Sequence, residues 1–495
     1  MEKNLKIENL GRIIKNYAAM FASALLAKGG GIIVAIFVAR YLNASSLGIY
    51  AVVLSVTILL EVLTPLGLQE VIIRSIARDR FLMLGQMVNA SIITTLSAFG
   101  FSAILLTFII IYPFSSEFSV TLMVAAAGLP IAGLNLVAQS VLQGAERMEY
   151  QPAAAFIGRL LGLFVTWLLL DMGSGVWSAF VGRAIFQATS LFILTIVIIR
   201  YIRQENLTKN WRPSFSSNRK SIASSIPFLL QRFLNEGLLR LHVIFLPMLM
   251  AFEAVGHFNA ANQITQASST IIPIVMLTVL PIFSRSFKSN PSEMKLLTDQ
   301  TLKFLLIIIF LFAFIVTVTA RKIIVILYGP GFESAAPVLQ IIIWSQIFVA
   351  ADSVMIQNMI ASDNERAMVY RSAAGVFVNV TLTVLFGSIF GILGIAVSVV
   401  LARGILFALN VHFVRKNIYK TNLMQTAARP FLCAMLAGLF AFILTDYHLF
   451  LILPIAICLY VFLLFVFRVL TENEVAAIKD LSRHIAAKYF KGYKV

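Results

Sequence analysis

The sequence predicts an all-α polytopic membrane protein, with about 14 transmembrane helices arranged as two six-helix lobes and two further C-terminal helices. Three observations predict it. The 495 residues are 60% hydrophobic and only 12% charged, with a mean hydropathy of +0.91, whereas a soluble chain carries about 25% charged residues. Apolar runs of about 20 residues recur along the chain, each long enough to cross roughly 30 Å of hydrocarbon. Short basic segments lie between them. A β-barrel is excluded, because its strands are short and alternate apolar with polar residues.

In chain order the spans fall near 15–39, 46–68, 85–111, 118–142, 153–170, 176–200, 222–250, 255–283, 300–320, 334–360, 370–388, 391–414, 429–446 and 449–468. A cytoplasmic N-terminus places Arg74, Arg78, Arg80, the basic stretch from Arg203 to Lys220, and Arg415, Lys416 and Lys420 on the inner side. Only Arg40, Arg321 and Lys322 then lie outside, the last two in the longest external connection, Arg321 to Glu333. That asymmetry is the one that sets membrane topology, and an even number of spans returns the C-terminus to the cytoplasm. The formal net charge of +17 is therefore a topological signal, and no nucleic-acid partner is expected. The N-terminal segment has no short apolar core followed by a small-residue cleavage site, so no removable signal peptide is expected. Cys433 and Cys458 lie in late apolar runs, and neither a disulfide, a metal nor a cofactor is expected.

The chain repeats. Leu47-Gly48-Ile49-Tyr50 corresponds to Val255-Gly256-His257-Phe258, and Gln143-Gly144-Ala145-Glu146-Arg147 to Ser362-Asp363-Asn364-Glu365-Arg366. Gly175 and Arg183 correspond, within one residue, to Gly394 and Arg403. An even number of spans per repeat gives both halves the same orientation, hence a pseudo-twofold axis along the membrane normal. The expected division is a first lobe over 1–210, a second over 211–420, two spans over 421–470, and a cytoplasmic tail over 471–495. Val475, Ile478, Leu481 and Ile485 give that tail helical spacing, as for a helix on the anionic leaflet or a solvated tail.

Seven cations fall within apolar runs: Lys28, Arg159, Arg183, Arg232, Arg240, Lys303 and Arg403. A charge at membrane depth costs about 3 kcal/mol on insertion scales, so such residues face a bundle interior or a wet cavity. The seventh span is the most polar, with Gln231, Arg232, Asn235, Glu236, Arg240 and His242. Arg232, Glu236 and Arg240 are four apart and share a helix face, where they either pair internally or meet a ligand. Glu236 is the repeat counterpart of Lys28. Lys28, Arg232 and Arg240 are therefore placed on one cavity between the lobes. Arg183 and Arg403 either line it or bond between helices. Arg159 and Lys303, nearer cytoplasmic ends, are read as snorkelling side chains. Glu61 and Asp352, the other deep acids, are read with Glu236 as counter-ions or as proton or sodium coupling sites. Gln139, Gln346, Gln357 and Asn358 either bind sugar hydroxyls or stitch helices together, the latter being the simpler role. No HExxH, GxSxG or P-loop pattern is present, so the chain is read as a transporter and not an enzyme.

The segments ARYLNASSLGIYAVV and LLEVLTPLGLQEVIIRSIAR, with LQGAERMEYQ and its echo IASDNERAMVYR, resemble bacterial polysaccharide-biosynthesis flippases. These belong to the multidrug/oligosaccharidyl-lipid/polysaccharide exporter superfamily, and the resemblance runs from about Asn9 to Asn417. It implies alternating access through a cationic central cavity in the bacterial inner membrane. The implied cargo is a polyprenyl-diphosphate-linked oligosaccharide, whose diphosphate meets Lys28, Arg232 and Arg240. Membrane lipids, glycan-assembly enzymes and a proton or sodium gradient are the implied partners. The first span lacks the arginine-aspartate signature of lipid II flippases, a departure that puts lipid II itself in question as cargo. The competing reading is a cation-coupled multidrug or small-molecule exporter of the same fold. Its cavity would be lined by acids and aromatics.

Overall fold

The computed structural model of the protein describes residues 29–112, 114–207, 215–270, 272–273, 275–276, 279, 283, 291–361, 365–417, 423–444 and 449–469. Lys28, the central part of the linker and the C-terminal tail lie outside these residues, as does the Ser362–Asn364 part of the repeat. Among the described residues the regular structure is entirely helical. Nine helices there are long and apolar enough to cross a membrane, and the chain is an all-α polytopic membrane protein.

The first half comprises α1 (Gly29–Tyr41), α2 (Ala44–Leu63), α3 (Leu68–Arg78), α4 (Met83–Ile111), α5 (Ser116–Gly144), α6 (Tyr150–Asp171) and α7 (Trp177–Gln204). The second comprises α8 (Phe215–Phe245), α9 (Phe252–Ser268), α10 (Pro291–Tyr328), α11 (Ala335–Ile342), α12 (Ser345–Ala361) and α13 (Glu365–Asn417). Two more, α14 (Leu423–Ile443) and α15 (Leu449–Val466), follow. Most boundaries fall within a few residues of the apolar runs, because length and hydropathy are the quantities the bilayer selects.

Two differences have local causes. The second apolar run ends in a turn at Leu66 (φ 49) and Gly67 (φ 75), beyond which the amphipathic α3 runs separately. It buries Leu68, Ile72 and Ile76. A Cβ on Gly67 would stand 2.5 Å from the Ser225 carbonyl oxygen, so glycine is required there for both its dihedrals and its space. The second is that α10 continues through Arg321 and Lys322 to Tyr328, which shortens the expected external loop. Arg321 pairs with Glu333 at 2.8 Å, and Arg40 donates to the Leu327 carbonyl at 2.9 Å, a cation on the helix's negative end. As expected, α13 is not one span: it breaks at Gly391 (φ 59, ψ −141). Its arms fold back so that the Thr383 and Ser398 hydroxyls are 3.3 Å apart, giving the two spans expected there.

The core explains where a cavity can form. At the end bearing Arg40, residues of both halves share one apolar cluster, including Leu47, Val53, Phe180, Val255, Phe258 and Leu339. Toward the basic end the halves have separate clusters. One is built on α3, α4, α5 and α7 around Ile76, Val141 and Leu194. The other is built on α10, α12 and α14 around Leu305, Val354 and Ala437. The halves share one core at the Arg40 end, and at the other end they keep separate cores and touch through α3 and α8.

Candidate functional site

A cavity of about 390 Å³ lies at mid-depth between the halves, bounded by α1, α2, α5, α6 and α7 on one side and by α8 and α9 on the other. Its size is that of a typical small-ligand pocket. Among its described lining residues the charged groups are Glu61, Arg159, Arg183 and Arg240.

Each charge is positioned by helix packing. Arg183 sits on α7, drawn against α6 by small residues: a Cβ on Gly162 would lie 2.5 Å from the Gly182 carbonyl oxygen, the close approach that small residues permit in membranes. Its guanidinium grips Glu61 of α2 at two points, Nη2 to Oε2 at 2.6 Å and Nε to Oε1 at 3.2 Å. Such a bidentate pair is the strong form of an ion pair. Arg240 donates to Glu236, one turn earlier on α8, at 3.0 Å. Two of the three cavity arginines therefore carry their own counter-ions.

Arg159 does not. Its Cζ lies 4.0 Å from the centroid of the Phe186 ring, and its Nε is buried without a hydrogen-bond partner among the described residues. The neighbouring charge is another cation, Arg183. Gly30 of α1 makes room for it, since a Cβ there would collide with the Arg159 side chain at Cδ and Nε. Sequence reasoning set Arg159 near a cytoplasmic end. The helix in fact begins at Tyr150 and puts Arg159 almost halfway along its 22 residues. The signal was present: Arg159, Gly162, Leu163 and Thr166 recur at helical spacing and all line the cavity. Tyr50 also lines it, within electrostatic reach of Arg159, Arg183 and Arg240.

The remaining sequence candidates lie elsewhere. Lys28 is outside the described residues. Arg232 leaves the cavity for α3, where it donates to Glu70 at 2.8 Å and also to Gln69. Arg403 is absent from the cavity lining. It lies near Asp352 and Arg371 in a second polar cluster, where Asp352 accepts from both Arg371 and Asn410. Asn235 accepts from Ser372 at 3.0 Å, and His242 stands 3.5 Å from Asn379, so these tie α8 to α13. Asn358 bonds Thr298 at 3.2 Å and the Val354 carbonyl at 2.9 Å, a stitching role. Gln139 lines the cavity, whereas Gln346 and Gln357 do not. Among the described residues no cluster of histidine, cysteine and acids is arranged to hold a metal.

Comparison with known proteins agrees with this architecture. Residues 13–287 match the family profile described as polysaccharide biosynthesis protein, and residues 255–461 match that of the lipid II flippase MurJ. A putative O-antigen transporter of Escherichia coli (strain K12) is 22% identical over 282 residues, 56% of this chain and 66% of that protein. The match thus spans just under two thirds of the relative's length. The inward closed conformation of the lipid II flippase MurJ superposes with a TM-score of 0.67 at 15% identity, covering 92% of this chain and 98% of that one. An inward-facing multidrug resistance MATE family transporter of the MOP superfamily gives 0.63 at 14%, covering 82% and 98%. At these identities the two structures show a shared fold. Because the first profile spans more than half of the sequence, the chain belongs to the polysaccharide biosynthesis protein family.

Proposed function

We propose that the protein flips a polyprenyl-diphosphate-linked oligosaccharide from the cytoplasmic to the outer leaflet by alternating access, its diphosphate held in the cavity between the halves. The observation that carries this reading is the arginine pair Arg159 and Arg183, which share that cavity while Glu61, the one acid among its described lining residues, is bound to Arg183. An uncompensated cation beside a second one, in a low dielectric, favours an anion that can bridge both. The family match and the likeness to an O-antigen transporter support a lipid-linked glycan as the anion's carrier. On this reading residues 1–210 and 211–420 are the two moving lobes, both termini are cytoplasmic, and the membrane is the bacterial inner membrane. Glu61, Glu236 and Asp352 act as counter-ions, each bound to an arginine.

The second reading, a cation-coupled exporter, draws on the fold shared with the multidrug transporter. The cavity's charge opposes it, since an organic cation would meet three arginines and one neutralised acid.

The test is leaflet accessibility of a fluorescent lipid-linked glycan in proteoliposomes. Translocation should require the native chain and fall by more than tenfold in Arg159→Met. If the native chain leaves the glycan in its original leaflet but lowers the retention of a cationic dye, the exporter reading replaces this one.

A further inference from the structure

The α9 wall, across the cavity from Arg159 and Arg183, is built differently. Asn259, Asn262, Gln263 and Gln266 of α9 all line the cavity, spaced so that they form one stripe on one helix face. Among the described residues none of these side-chain amides has a hydrogen-bond partner in the protein. Asn259 is 6% exposed, and its Nδ2 is a buried donor without an acceptor. Amides that stitch helices use their donors, even where, as in Asn379, the oxygen has no partner among the described residues. In this molecule Asn358 and Asn379 reach a carbonyl on their own or a neighbouring helix, both at 2.9 Å. Buried polar groups are ordinarily satisfied, so the orphaned Asn259 donor, in line with three partly exposed amides on the same cavity wall, calls for a ligand that donates and accepts along this face.

Resting on the flippase reading, we infer that the α9 amide row recognises the neutral sugar joined directly to the diphosphate. Charge divides the cavity. Arg159 and Arg183 on one side take the phosphates, and the α9 row opposite them is uncharged and offers paired donors and acceptors, which suits the vicinal hydroxyls or the N-acetyl group of a pyranose. The cavity's small volume fits this limited role, since about 390 Å³ is pocket-sized and holds the junction of diphosphate and glycan rather than a long chain of sugars. Specificity then lies at the first sugar, and the later sugars of the glycan are free to vary.

The experiment measures binding to the purified full chain in nanodiscs. One probe is farnesyl diphosphate carrying N-acetylglucosamine, and the other is the same lipid diphosphate capped with methyl. The native chain should prefer the sugar-bearing probe at least tenfold. Asn259→Leu and Gln266→Ala should each remove roughly three- to tenfold of that preference, leaving the methyl-capped probe unchanged, whereas Arg159→Met weakens both. Asn259→Leu should melt no lower than the native protein, because the amide it removes joins nothing. Gln266, only partly buried, serves as the second probe of the row should Asn259→Leu fail to fold. The inference is overturned if the sugar adds no affinity to the native chain, or if the α9 variants weaken both probes equally. Failure of the native chain to bind either probe would instead remove the flippase reading, and this inference with it.

Discussion

Gly48 and Gly256 occupy reciprocal positions where α2 crosses α9: a Cβ on Gly48 would run into the Phe252 carbonyl, and one on Gly256 into the Ala44 carbonyl. The same offset of 208 residues relates Gly48 to Gly256 and Ala44 to Phe252. Residue i of one helix meets j of the other while j meets i, the relation that a twofold axis imposes. The sequence repeat is thus visible as a contact. It lies in the shared core, at the end where the halves are joined.

The first prediction follows from that reciprocity. Gly48→Ala and Gly256→Ala should destabilise the protein by similar amounts, about 1–3 kcal/mol, because each forces a backbone contact apart. Both should also raise the labelling of a cysteine introduced at Tyr50, just below the crossing. Reversible unfolding in mixed micelles and thiol labelling in vesicles measure the two effects. Unequal costs would mean that the crossing is not symmetric in energy.

A second prediction concerns Gly30 and Arg159. Because a side chain at position 30 would strike Arg159, Gly30→Ala should displace the guanidinium from Phe186 without removing its charge. Translocation should fall nearly as far as in Arg159→Met, with surface expression retained. Phe186→Leu should cost less, since it removes only a cation–π contact of about 0.5–2 kcal/mol. Flux in proteoliposomes, normalised to protein, ranks the three variants.

Glu61 and Arg183 supply the third. Breaking a buried ion pair by removing one partner costs about 3–5 kcal/mol, whereas replacing both with apolar groups is often neutral. Glu61→Leu and Arg183→Met alone should therefore lower thermal stability strongly, and the double variant should recover most of it. The cycle's coupling energy should exceed 1 kcal/mol. The double variant should still translocate more slowly than the native chain if, as proposed, Arg183 is one of the two cations that hold the diphosphate.

Much of this was legible in the sequence, for physical reasons that also mark the limit. Span number and position follow from hydropathy, so the hairpin at Gly391 and the short α10–α11 connection alter only the joints. The repeat was legible in Gly48 and Gly256 because small residues at a crossing leave a local pattern. Side-chain partners were not. Arg183 meets Glu61 and Arg232 meets Glu70 across more than 100 residues, and helical spacing within one span says nothing about which neighbour a charge will find. On spacing alone, Arg232, Glu236 and Arg240 form one ladder. In the fold Arg232 is taken by α3, an amphipathic helix hidden at the end of an apolar run. Arg159 makes the same point: its place along α6 does not tell which wall it faces, and packing beside Gly30 of α1 and Phe186 of α7 sets it in the cavity.

Arg232 gives the last prediction. With Glu70 it joins the halves at the basic end, where they have no common core, and Arg74 over the Phe228 ring at 5.4 Å and Ser225 on the Leu66 carbonyl at 2.6 Å act beside it. The Arg232 and Glu70 side chains are 40% and 36% exposed, so the pair contributes about 0–1 kcal/mol and is screened by salt. A contact this weak adds little to stability, yet it is large enough to bias two conformations that differ by a few kcal/mol. Glu70→Arg should therefore leave the melting temperature nearly unchanged while separating the halves at this end. The exchanged pair Glu70→Arg with Arg232→Glu should bring them back together. Spin labels at Phe81 and Ile226, both exposed, in a chain with Cys433 and Cys458 replaced by serine, would report the distance between halves. Raising the salt concentration should move the native distribution in the same direction as Glu70→Arg. An unchanged distance in Glu70→Arg would show that the α3–α8 apolar contacts alone hold this end closed.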